Sequence, residues 1–186
     1  MARLLYVTNM SLDGYIEDED GRFDFTLPGD DFFEFVTDLV RPVGTYLYGR
    51  RLYESMAVWE TQPDLASQSA LMADFASVWQ TANKVVYSTT LNSVWTSKTG
   101  LQGSFEPSEV QGLKDSTTDD LMIGGAEIAS HAFRAGLVDD LHLFVRPIFV
   151  GGGKRALPSN MRSHLELLAS HPFTDGAIHL HYRVRR

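Results

Sequence analysis

The sequence predicts an α/β fold in which a mainly parallel central sheet carries crossover helices and finishes in an antiparallel hairpin. Two observations lead there. As far as residue 140, short runs of β-branched, aromatic and leucine residues alternate with stretches of helical spacing, the order that parallel strands joined by crossover helices require. Beyond that point three strand-like runs follow one another without a strong helix between them, which is the order of antiparallel neighbours.

Residues 4–8 (LLYVT) read as the first strand. A helix follows, because Phe32, Val36, Leu39 and Val40 recur at helical spacing behind Asp30, which is expected to cap it. Residues 44–48 (GTYLY) form the next strand, followed by Leu52 and Met56 on a short helix and by Leu71, Phe75, Val78 and Trp79 on a longer one. Strands at 84–88 (KVVYS) and 121–123 (LMI) precede a helix on which Ile128 faces with Ala132, and Ala129 with Phe133. The closing strands are 141–149, 164–170 and 177–185. In the last of these Ile178, Leu180, Tyr182 and Val184 alternate with His179, His181, Arg183 and Arg185, so one face is buried and the other wet or partly covered. His179 and His181 share that second face. With no third ligand nearby they read as exposed strand residues, and no metal site is expected.

The chain has 186 residues, 44% hydrophobic, enough to bury a core without staples, and it shows neither repeat nor linker; one domain over residues 1–186 is expected. The absence of cysteine excludes disulfides, thiolate metal sites and cysteine nucleophiles. A net charge of -8 argues against a nucleic-acid or anionic-membrane partner, since both require a concentrated positive face. The N-terminal run before Asn9 is too short for a signal or a span, and a cytoplasmic protein is expected.

Three successive strands end in similar punctuation: Gly49-Arg50-Arg51, Ser88-Thr89-Thr90 and Gly124-Gly125-Ala126. Parallel strands bring these turns to one carboxyl edge, where ligands bind. Each alone is a loop or a helix cap; together, glycines that admit an anion, hydroxyls and guanidinium groups suit a nucleotide with several phosphates. Neither G-x-G-x-x-G after the first strand nor G-x-x-x-x-G-K-[ST] is present, so the phosphate contacts belong to another nucleotide fold. Asp30, after Leu27-Pro28-Gly29, could cap its helix and also face the cleft, while Asp13 is either a turn residue or a substrate contact.

Met10-Ser11-Leu12-Asp13-Gly14-Tyr15-Ile16, Tyr48-Gly49-Arg50-Arg51-Leu52-Tyr53-Glu54-Ser55-Met56, Ile123-Gly124-Gly125-Ala126-Glu127, Gly136-Leu137-Val138-Asp139-Asp140-Leu141 and Gly151-Gly152-Gly153-Lys154 together resemble the reductase domain of bacterial bifunctional deaminase-reductases of riboflavin synthesis. The resemblance implies a dihydrofolate reductase-like fold and an NADPH-dependent reductase of 5-amino-6-(5-phosphoribosylamino)uracil, standing alone without the zinc deaminase half. It implies that Gly49, Arg50 and Arg51 meet the pyrophosphate and adenosine 2′-phosphate, that Ser88 and Thr89 touch the latter, and that Gly124, Gly125, Ala126, Glu127 and Ile128 pack against the pyrophosphate. Leu52 stands where the family usually has Thr. Leu27-Pro28-Gly29-Asp30 is similar to the Leu-Pro-x-Asp of dihydrofolate reductases, which implies that Asp30 anchors the substrate and helps supply a proton. A homodimer through the C-terminal strands is also implied by resemblance. Reduction of dihydrofolate or of another small metabolite, and a non-catalytic NADPH-binding module, are the alternative expectations.

Overall fold

The computed structural model describes residues 2–26 and 29–185. In chain order β1 (Leu4–Ser11), β2 (Tyr15–Glu17) and a 3-10 turn (Asp24–Thr26) lead to α1 (Asp30–Val40) and β3 (Val43–Gly49). Four helices follow, α2 (Arg50–Met56), α3 (Val58–Thr61), α4 (Pro63–Ala66) and α5 (Ala70–Thr81), before β4 (Asn83–Tyr87) and β5 (Thr99–Gln102). Next come α6 (Pro107–Ser116), β6 (Asp120–Gly124), α7 (Ala126–Arg134) and β7 (Asp140–Arg146). The chain closes with β8 (Lys154–Arg155), β9 (His164–Pro172) and β10 (Ile178–Arg185). None of the described helices is long and apolar enough to cross a membrane.

Eight strands form one sheet in the order β5-β4-β3-β6-β1-β7-β10-β9, and β2 pairs with β8 apart from it. From β5 to β7 neighbours are parallel; β10 is antiparallel to both β7 and β9. The expected mixed architecture is therefore present, with the last strand inserted beside β7 and β9 left at the edge.

Both faces of the central strands are covered, which is why they read as continuous apolar runs. On one face Leu5, Tyr46, Tyr48, Val86 and Met122 pack with Phe75 and Trp79 of α5. On the other, Leu4, Tyr6, Leu47, Ile123 and Leu143 pack with Ile128, Ala129, Ala132 and Phe133 of α7. Trp79 is fully buried, and its Nε1 donates to the Tyr48 hydroxyl at 3.3 Å. Beside it the buried Lys84 ammonium donates to the carbonyls of Trp79 and Ala82 at 3.1 and 3.0 Å, closing the end of α5, and lies 4.2 Å from the indole ring centre. Burial pulls its pKa down to about 8.

Several sequence expectations are corrected. Helix α1 begins at Asp30, its N-cap is Gly29 and no side chain caps it, so Asp30 is the first helical residue rather than the cap. The strand expected over 141–149 ends at Arg146, because Pro147 has no N–H to continue the ladder and Ile148 N donates to Arg146 O in a tight turn. The strand expected over 4–8 continues to Ser11, since Asn9, Met10 and Ser11 pair with Phe144, Val145 and Arg146 of β7. Of the two states expected for the second face of β10, wet or partly covered, the structure shows the second, with α1 packed on part of it. His179 is buried, Phe35 packs on it with ring centres 4.9 Å apart, and His142 Nδ1 lies 3.0 Å from His179 Nε2. His181 stacks on His142 at 4.1 Å. Burial lowers the pKa of His142 to about 3 and of His179 to about 4. The described residues contain no group of three or more His, Cys, Asp or Glu able to hold a metal ion.

Candidate active site

The parallel arrangement delivers the carboxyl ends of β3, β4 and β6 side by side, as the three punctuated turns require. Gly49 ends β3 and caps α2 with extended backbone. Gly125, between β6 and α7, has φ +97, a conformation L side chains rarely adopt, and a Cβ built on it would stand 3.8 Å from Gly49 N. The two turns thus face one another through bare backbone. Gly124 is packed against side chains instead: a Cβ there would displace the tip of Leu52 and touch the Tyr48 ring. Ala126 and Glu127 open α7 in the first turn, whereas Ile128 is a core residue that packs beneath Gly49. Only the backbone N–H of Ile128 is suited to a ligand contact.

Arg50 Nη1 donates to Thr90 Oγ1 at 3.0 Å and its Nε donates to Glu54 at 2.8 Å. Ser88 Oγ accepts from the backbone N–H groups of Thr90 and Leu91, fixing the turn after β4. Arg50, Ser88 and Thr90 therefore meet directly, while Thr89 is exposed beside them. Arg51 turns the other way, to Glu17 at 3.0 Å. Three adjacent hydroxyl residues gave the sequence no means of telling Thr90 from Thr89, since the choice depends on the turn that Ser88 makes.

Around the end of β1, Asp13 is a latch. Its carboxylate accepts from Ser11 Oγ at 2.6 Å and from the N–H groups of Val150 and Gly151, at 2.8 Å for Gly151. The Ser11 hydroxyl foremost, then these amides, hold its pKa below the usual carboxylate value. Asp30 heads α1, and because α1 runs back to the start of β3 this end lies at the same carboxyl edge; the side chain is exposed. Leu27 and Pro28 of the Leu-Pro-Gly-Asp segment lie outside the described residues. Asp31 accepts from Thr174 N and Oγ1 at 3.0 and 2.7 Å. Arg146, at the end of β7, donates to Phe25 O at 3.2 Å, pairs with Asp175 at 2.8 Å and lies against the Phe32 ring. Asn9, near the end of β1, has a buried side-chain oxygen with no hydrogen-bond partner. The sequence offered no signal for these last two, because Arg146 lies inside a run read as strand and Asn9 just past the end of another.

Residues 2–179 match the family model described as the RibD C-terminal domain. The chain is 24% identical over 182 residues to YyaP, an uncharacterised protein of Bacillus subtilis, covering 97% of this chain and 94% of that one. Among solved structures, a protein assigned to riboflavin biosynthesis from Shewanella sp. PV-4 is similar over 100% of both chains, with 20% identity and a TM-score of 0.76. RibD of Acinetobacter baumannii is 15% identical with a TM-score of 0.68, over 100% of this chain and 58% of that one. Dihydrofolate reductase of Enterococcus faecalis, solved with NADP(H), is 13% identical with a TM-score of 0.64, over 99% of this chain and 97% of that one. The architecture is that of the dihydrofolate reductase-like fold.

Proposed function

Because the chain belongs to the family described as the RibD C-terminal domain, we propose that it is an NADPH-dependent reductase of a small electron-poor heterocycle or carbonyl compound. The observation that carries this reading is the meeting of the Gly49 and Gly125 turns through bare backbone, with the Arg50, Ser88 and Thr90 cluster beside it on the same sheet edge. Backbone N–H groups at Gly125, Ala126, Glu127 and Ile128 suit a pyrophosphate. The guanidinium group of Arg50, with the hydroxyls of Ser88, Thr89 and Thr90, suits the adenosine 2′-phosphate, and Arg51 would join it by releasing Glu17.

When bound, NADPH supplies the hydride that reduces a C=N or C=O carbon of the substrate. The chain's own groups orient the partners and manage the proton. Asp30, exposed at the head of α1, holds or relays the proton destined for the substrate nitrogen or oxygen, directly or through a water it orients. Asp13 serves the substrate side by fixing the loops after β1 and β7 against one another. On family grounds 5-amino-6-(5-phosphoribosylamino)uracil is the first compound to test, followed by dihydrofolate and small carbonyl compounds. Loss of NADPH absorbance with any of these supports the reading. NADPH binding without turnover on all of them would leave a binding module, and failure to bind NADPH would overturn the cofactor assignment itself.

A further inference from the structure

The ribbon of β2 and β8 lies apart from the main sheet, and its two strands are tightly built on one another. Glu17 of β2 stands in register with Lys154 of β8. A Cβ on Gly153 would run into the backbone of Glu17 and Asp18, so the glycine turn ahead of Lys154 packs directly on β2. The Asp13 carboxylate fixes the start of that turn through the N–H groups of Val150 and Gly151. Glu17 and Lys154 thus project from one well-anchored support.

From it they reach to different helices. Glu17 Oε1 accepts from Arg51 Nη1 at 3.0 Å, in the first turn of α2, and Lys154 Nζ lies 3.8 Å from Glu127 Oε2, in the first turn of α7. Because α2 follows the Gly49 turn and α7 the Gly125 turn, the ribbon is tied by one ion pair to each of the turns that face one another through bare backbone. Both pairs are open to water: the side chains of Arg51 and Glu127 are 66% and 81% exposed. Exposed ion pairs contribute little, so each cation is readily given up to a stronger partner. A phosphate monoester is such a partner, with more negative charge and more acceptor oxygens than a carboxylate. In a chain of net charge -8, a cation that stays paired adds little to the attraction of a polyanionic dinucleotide, whereas one that changes partner adds a direct contact.

We infer that the dinucleotide takes over both cations: Arg51 leaves Glu17 for the adenosine 2′-phosphate, and Lys154 leaves Glu127 for the pyrophosphate. Lys154 is then a further cofactor contact, and Glu17 and Glu127 hold the affinity below what the cations alone would give. This rests on the NADPH reading, and it adds to that site a cation from β8 and two carboxylates that oppose binding.

The test titrates NADPH and NADH by calorimetry into the full chain and its variants at about 0.15 M salt, where charges more than roughly 8 Å apart are largely screened. Glu17→Gln should tighten NADPH about threefold to tenfold and leave NADH within about twofold, because only NADPH carries the 2′-phosphate. Glu127→Gln should tighten both nucleotides alike, by about threefold, and Lys154→Gln should weaken both alike, by about threefold to tenfold, since both carry the pyrophosphate. Binding of NADH by the same variants shows that each is folded. In an Arg51→Gln background Glu17→Gln should no longer tighten NADPH, which separates exchange of partners from plain repulsion. Weaker or unchanged NADPH binding in Glu17→Gln would mean that the ion pair persists in the complex, and a gain that survives Arg51→Gln would come from repulsion alone; either overturns the exchange at Arg51. Unaltered affinities in Lys154→Gln remove Lys154 from the cofactor. Failure of the unmodified chain to bind NADPH overturns the reading beneath the inference instead.

Discussion

Asp30 and Asp31 stand side by side at the head of α1, and their surroundings differ. Asp31 ties the helix to Thr174 through two hydrogen bonds, so Asp31→Ala should lower the melting temperature by a few degrees while the remaining folded protein turns over normally. Asp30 is exposed at the head of α1, and on the proposed proton-handling role Asp30→Asn should shift melting by less than about one degree yet lower turnover by roughly 10²–10⁴, the usual consequence of removing a general acid or base. Calorimetric melting and NADPH consumption, measured on both variants, separate the two; full activity in Asp30→Asn would pass the proton to solvent. The Arg50 contact with Thr90 gives a second test at this scale. Arg50→Ala should weaken NADPH about 10- to 100-fold and leave NADH unchanged, because only the former carries the 2′-phosphate. Equal weakening of both nucleotides in titration would move Arg50 to the pyrophosphate. The arginine was legible in the sequence beside its glycine, whereas its true hydroxyl neighbour depended on a side-chain-to-backbone turn that spacing does not reveal.

Elements that bury both faces announced themselves, whereas β5 and α6 were missed. β1, β3, β4, β6 and β7 read as apolar runs because helices cover them on both sides. β5 sits at the sheet edge as Thr-Gly-Leu-Gln, with alternate residues exposed, and α6 buries only Val110 and Lys114, so neither left a periodic pattern to find. Buried cations and imidazoles were likewise invisible, although they hold element ends and seams. Lys84→Met should cost about 1–3 kcal/mol in urea unfolding, since the carbonyls of Trp79 and Ala82 lose their donor. The seam of β7, β10 and α1 makes stability depend on acid. With folded values near 3 for His142 and 4 for His179 against about 6.5 in the unfolded chain, the unfolded state takes up protons first as pH falls. Stability should therefore drop below about pH 6.5, by on the order of 2 kcal/mol for each imidazole near pH 4.5. Paired replacement, His142→Leu with His179→Leu, should flatten that limb of the stability curve; an unaltered slope would assign it to the carboxylates.

At the scale of the molecule, alternation of strands and helices made the parallel sheet legible, and the run of strands after residue 140 made its antiparallel finish legible. Strand order was less so, because it depends on which edges a helix can cross rather than on any local pattern. The position of β1 between β6 and β7 has a consequence for how the chain comes into being. Tyr6 pairs with Ile123 on one side and with Leu141 on the other, and Asp13 waits for the amides of Val150 and Gly151. As the polypeptide leaves the ribosome, its first apolar strand thus has no native neighbour until most of the chain has been made. The nascent protein must keep Leu4–Ser11 from pairing elsewhere throughout that interval. Ribosome-stalled chains ending before residue 140 should stay open to protease near β1, and chains extended beyond residue 156 should become protected together along β1, β6 and β7; early protection would mean that β1 finds a temporary partner.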